Sequence, residues 1–219
     1  PSTANPQGTR PQVRTPVDAT GAAVGAGGNG RVLTLPAFDA TVRTLDQTVE
    51  VDYYIPGCPP PPKLLQAAVA ALLGGTLPPK GSVLAPDIAL CQECPRKDTK
   101  PDKVLVAEFK RPHEVLADPD KCLLVQGLLC LGPATRAGCG APCVEGNMPC
   151  TGCMGPTSRV RDFGAKALTA TASVLDAGED EQIATLLDVI VDPEGTFYRY
   201  SLAGSLLGGK LGVPEESQA

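Results

Sequence analysis

Apolar and polar residues alternate from Thr48 to Ile55, which puts Val49, Val51, Tyr53 and Ile55 on one face. A period of two predicts a half-buried strand. The pattern breaks at Pro56-Gly57-Cys58-Pro59-Pro60-Pro61-Pro62, and the run KLLQAAVAALL over residues 63–73 predicts a strong helix, stopped by Gly74-Gly75. Cys58 therefore falls between the carboxyl end of a strand and a helix, where open α/β sheets place their ligands. A lone cysteine at such a turn is more often inert than a ligand. Further on, residues 158–175 and 180–190 predict two helices, the second with Ile183, Leu186, Leu187 and Ile190 on one face. Asp192-Pro193-Glu194-Gly195 predicts a turn, followed by a short apolar element from Thr196 to Leu202 and a tail from Gly208. Residues 1–30 lack periodicity and predict an extended or poorly ordered arm. The looser apolar spacing after Val32 allows a short helix near 37–46. Residues 76–90 read as a Pro-punctuated linker, and residues 95–121 as polar apart from Val104–Phe109.

Composition narrows the class. The 219 residues include 24 Gly and 23 Pro, more than a fifth of the chain, with no Trp and only 4% aromatics. A loop-rich protein fixed by something other than aromatic packing fits that balance. The net charge of −5 gives no electrostatic reason to expect nucleic acid as a partner. No apolar run reaches transmembrane length. No targeting segment is visible, and Pro1 leads to the expectation that the chain begins partway through a longer protein.

The nine cysteines change the picture most. Six lie between Cys122 and Cys153 among glycines, prolines and short apolar pieces, and Cys91-Gln-Glu-Cys94 precedes them. Their odd count, the chain length and two C-x-x-C pairs argue against a disulfide framework and for ligation in a reducing compartment. In chain order eight of them divide into two tetrads. Cys91, Cys94, Cys122 and Cys130 could form one; Cys139, Cys143, Cys150 and Cys153 form the other. A [4Fe–4S] cubane takes four thiolates, so eight is the count that two cubanes require. A structural Cys₄ zinc site is the bland alternative. The intervening Leu123, Leu124, Val125, Leu128, Leu129 and Leu131 suit a water-poor redox centre better. His113, the only histidine, lies in a polar stretch and reads as a solvated side chain. No GxSxG, no Walker A loop and no GxGxxG after a strand is present, so the chain reads as an electron conduit with no catalytic residue of its own.

Several of these pieces together resemble a known family. VDYYIPGCPPPP, CQECPR, EFKRPHEV, CLLVQGLLCLGPATRAGCGAPC, MPCTGCMGPTSRVRDFGAK and GTFYRYSLAG follow one another over residues 44–205. In that order they resemble the small subunit of multimeric [NiFe] hydrogenases of the cytoplasmic, viologen-reducing, heterodisulfide-reductase-linked (F420-non-reducing) type. The resemblance implies three [4Fe–4S] clusters in a row. Cys58 would be one ligand of a proximal cluster, facing the nickel–iron site of the large subunit. Cys139, Cys143, Cys150 and Cys153 would hold the medial cluster, and Cys91, Cys94, Cys122 and Cys130 the distal one, nearest an iron–sulfur or flavin acceptor subunit. In the membrane-linked relatives a His stands at the position of Cys91 and commonly a Pro at that of Cys143, so both departures favour two full cubanes here.

The implied fold is α/β. Residues 1–75 would be the C-terminal part of a flavodoxin-like domain carrying the proximal loop. Residues 76–157 would be a loop-rich, ferredoxin-like iron–sulfur domain, and residues 158–219 C-terminal helices and a tail. The family's other proximal ligands lie upstream of the Cys58 position, and no cysteine precedes Cys58 here. They are expected on a preceding part of the subunit. The implied function is electron relay between H₂ and an acceptor module in the cytoplasm. The same subunit within a non-hydrogenase oxidoreductase complex, or a zinc-binding structural protein, are the competing readings.

Overall fold

The structure is a computed structural model; it describes residues 42–207 and two short strands before them. Those strands, β1 (Ala23–Ala26) and β2 (Val32–Leu35), pair antiparallel, Ala23 opposite Leu35, and belong to a unit separate from Arg43–Gly212. The expected unpatterned arm thus contains a strand. The rest of that arm and the tail from Gly208 lie outside the described residues. Of the helix expected near 37–46, residues 37–41 also lie outside, and a single 3-10 turn, Leu45–Gln47, occupies the end.

In the larger unit, β3 (Tyr53–Tyr54) leads through the Cys58 loop into α1 (Pro62–Leu73) and back to β4 (Ser82–Val83), which pairs parallel with β3. This is a small β-α-β crossover, and the described fold is mixed helix with a small parallel sheet, as the α/β expectation requires. α1 starts on a proline whose missing N–H costs nothing in a first turn, and it ends at Gly74. Its buried residues, Leu64 and Ala68, are four apart and share one face. The alternating stretch from Thr48 contributes only two residues to a strand. A ladder needs a partner, and β4 is two residues long; Asp52 is held instead by Lys80 (2.7 Å) and by the Gly81 N–H.

The remaining helices are short. α2 (Pro142–Glu145) carries Cys143 and starts from Ala141 in the left-handed region (φ 56°). α3 (Phe163–Ala172) starts five residues later than the expected 158, because Asp162 caps it by accepting the Ala165 N–H at 2.9 Å. It stops where the backbone of residues 174–176 turns to bond with Val106. α4 (Asp180–Asp188) falls where the periodicity placed it. The expected turn at 192–195 is instead the start of α5 (Pro193–Phe197): Asp192 caps by accepting the Gly195 N–H, and Pro193 occupies the first turn. Asp-Pro opens turns and helices alike, so the dipeptide did not discriminate.

Three apolar clusters hold these pieces together. Leu90, Leu123, Leu128, Ala141 and Val144 form one among the cysteines. Leu131, Phe163, Ala167, Phe197 and Tyr198 form a second under α3 and α5, and Val104, Val106, Phe109, Leu124 and Leu186 a third under α4. Among the described residues no helix is long and apolar enough to cross a membrane.

Candidate metal centre

The cysteines sort themselves round two cavities. Cys91, Cys94, Cys122 and Cys130 all line the first, together with Leu90, Leu123 and Val144. Cys139, Cys143, Cys150 and Cys153 all line the second, which shares Leu90 and Val144 as a common wall. The grouping matches the chain-order tetrads. Cys58, exposed, lies on the rim of the second cavity with the prolines that follow it. His113 lines neither cavity; it is exposed and faces Glu114 at 3.9 Å.

Local backbone chemistry places each sulfur. Cys91 sits in a 3-10 turn, Leu90–Gln92, whose Leu90 N–H is held by the Thr135 carbonyl at 2.7 Å. Gly132 lies against the first thiol set, so that a Cβ there would come within 3.3 Å of Cys91 Sγ and 3.6 Å of Cys130 Sγ. Backbone N–H groups reach the sulfurs: Cys150 N–H donates to Cys130 Sγ and Ala141 N–H to Cys139 Sγ, each at 3.3 Å. Donors so placed favour thiolate over thiol. Leu131 N–H donates in turn to the Cys150 carbonyl at 2.9 Å, so the two cysteine sets share a backbone seam.

Burial works against ionisation in the free thiols. It pushes Cys91 up to about 11, although the Lys100 charge pulls the other way and the neighbouring Cys130, Cys122 and Cys94 add to the rise. Burial pushes Cys150 up to about 12, and raises Cys130 and Cys139 as well. Four mutually repelling sulfurs in a dry cavity gain most from a cationic centre between them. Among the described residues no three His, Cys, Asp or Glu side chains close round a single metal ion. The thiols stand round the cavity walls, four to each cavity. Donor type, count and cradle all fit a cluster.

Three residues that position the sites carry no metal-ligand signature in the sequence. Glu93, inside the C-x-x-C of the first set, reaches the second: its carboxylate accepts the N–H groups of Gly138 (2.9 Å) and Gly140 (2.7 Å), on either side of Cys139. Arg96, 5% exposed, donates to the carbonyls of Asp118, Lys121 and Val144 and to Asn147 Oδ1, tying the approach to Cys122 to the end of α2. Arg136 pairs with Asp87 (2.9 Å) and donates to the Pro86 and Pro156 carbonyls, closing the cysteine region at both ends. The C-x-x-C spacing announced the sulfurs. Nothing announced these three, because their partners are mostly backbone atoms tens of residues away.

Fold and site define a class: a small α/β chain whose interior is organised by cysteines round two cavities, not by its two-strand sheet. No family profile matches the chain. It is 41% identical over 214 residues to the F420-non-reducing hydrogenase iron-sulfur subunit of Archaeoglobus profundus, covering 96% of this chain and 62% of that protein. It is 41% identical to an F420-non-reducing hydrogenase subunit of Methanothermobacter thermautotrophicus (81% of this chain, 56% of that one). Against an F420-non-reducing hydrogenase subunit of Methanothermus fervidus it is 43% identical over 53% of this chain and 93% of that one. The chain belongs to this family of F420-non-reducing hydrogenase subunits. It spans 62% and 56% of the length of the first two relatives.

Proposed function

We propose that the chain is the iron–sulfur electron-relay part of a [NiFe] hydrogenase, acting in the cytoplasm between an H₂-activating large subunit and an iron–sulfur or flavin acceptor subunit. The observation that carries this reading is the gathering of eight thiols, four and four in chain order, round two adjacent cavities with a shared apolar wall. Cys91, Cys94, Cys122 and Cys130 would hold one [4Fe–4S] cluster; Cys139, Cys143, Cys150 and Cys153 would hold another. When bound, such clusters take up and release single electrons. The protein's part is to supply thiolates, N–H donors and a dry wall at Leu90 and Val144. Residues 43–75 would belong to a flavodoxin-like domain and 76–157 to a ferredoxin-like one. Cys58 would contribute to a third cluster whose other ligands lie elsewhere in the subunit.

Anaerobic reconstitution of the chain tests this reading. It should bind about eight iron and about eight sulfide, with broad absorption near 400 nm. One or two zinc ions and no sulfide would replace it with the structural zinc reading.

A further inference from the structure

The two cavities carry unequal charge. The first has two cations in its wall, Arg96 and Lys100. Among the described residues no charged side chain lines the second. What reaches the second from behind is an anion: the Glu93 carboxylate, fixed by the N–H groups of Gly138 and Gly140 beside Cys139. Lys100 has no carboxylate partner among the described residues, so its charge is not cancelled locally. Backbone N–H groups reach both sets, Cys130 from Gly132 and Cys150 and, in the second set, Cys139 from Ala141 and Cys150 from Gly152, so the difference in full charge lies in the side chains.

We propose, resting on the cluster reading above, that Arg96 and Lys100 at the first cavity and Glu93 behind the second make the first the lower-energy seat for an added electron. The chain's own charges then bias transfer from the Cys139 set towards the Cys91 set. The step moves one electron. With clusters bound, the one held by Cys139, Cys143, Cys150 and Cys153 would lose one electron and the one held by Cys91, Cys94, Cys122 and Cys130 would gain it; no bond would form and no proton would be required. An arriving electron adds a negative charge that Arg96 and Lys100 attract, whereas the same charge at the second cavity is repelled by Glu93. Arg96 is buried and acts through little solvent; Lys100 is exposed and acts through more, so its share falls as salt rises. The same carboxylate also holds the Cys139 loop, so Glu93 couples geometry to charge.

The experiment is a redox titration followed by electron paramagnetic resonance on the subunit in its complex, purified anaerobically. Signals are assigned with Cys91→Ser and Cys143→Ser. Lys100→Met should lower the potential of the first-cavity centre and Lys100→Arg restore it. Glu93→Gln should raise the potential of the second. Each shift should change the equilibrium between the centres at least threefold, about 30 mV for one electron. Smaller shifts in both variants with both centres present, or a shift confined to the wrong centre, overturn the charge proposal alone. A wild-type complex without the two signals overturns the cluster reading and the proposal with it. The Lys100 side chain makes no hydrogen bond among the described residues, so its variants carry the test even where Glu93→Gln fails to assemble.

Discussion

Gly132 has no room for a side chain on its sulfur side. A methyl group there would stand 3.3 Å from Cys91 Sγ and 3.6 Å from Cys130 Sγ, in the space the first set encloses. Gly132→Ala is therefore expected to lower the total iron retained relative to the wild-type chain, checked by iron analysis after anaerobic reconstitution. Arg96 shows a different kind of residue-scale control. One planar guanidinium serves four acceptors from two segments, 118–121 and 144–147, which an ammonium cannot do in one geometry. The cysteines were legible in the sequence because ligand chemistry repeats at fixed spacings. Gly132, Glu93 and Arg96 were not, since each owes its role to a contact made only once the loops have folded.

Among the elements, α3 depends most on one side chain. Asp162 is 7% exposed; it accepts Ala165 N–H at the helix start and Leu206 N–H from the chain's far end, each at 2.9 Å. Burial alone would raise its pKa, but these N–H groups, with that of Gly164 and the Tyr198 hydroxyl, outweigh it and hold the carboxyl below its usual 3.8. A depressed carboxylate stabilises the fold above its unfolded value and loses that contribution as pH falls through the lower folded value. Asp162→Asn keeps the cap towards Ala165 but turns a donor towards Leu206. It should cost about 1–2 kcal/mol near neutral pH, with a flatter acid limb below about pH 4 in denaturation curves. The helices of 62–73 and 180–188 were readable because capping and an apolar face agreed. The strand expected over 48–55 was not limited by its own residues but by the shortness of its partner, which no local pattern reports.

For the whole molecule, the buried thiols link metal loading to pH. Cys91 and Cys150, pushed up to about 11 and about 12, are protonated in the unfilled chain at neutral pH. A ligand thiolate must lose that proton, so raising pH from about 7 to about 9 should speed and tighten iron uptake, measured as iron bound at fixed sulfide. The unfilled fold responds with the opposite sign. Its raised thiols contribute stability that is present below the ordinary value of 9.0 and is lost as pH climbs through the folded values. Unfilled chain should therefore melt at lower temperature as pH passes about 10, and filled chain should not.

On the cluster reading, the seam between Cys130–Leu131 and Cys150 would make the two sites partners in assembly. Ordering either set fixes a backbone group that the other set uses: Leu131 N–H to the Cys150 carbonyl, and Cys150 N–H to Cys130 Sγ. The first filling thus carries the ordering cost for both, and the second proceeds on a prepared frame. With iron supplied for half the sites, native mass spectra should show empty and doubly filled chains, with singly filled chains below their statistical share. Damage would run the same way in reverse: air that strips the second set at exposed Cys143 loosens the frame of the first, and the chain empties as a unit.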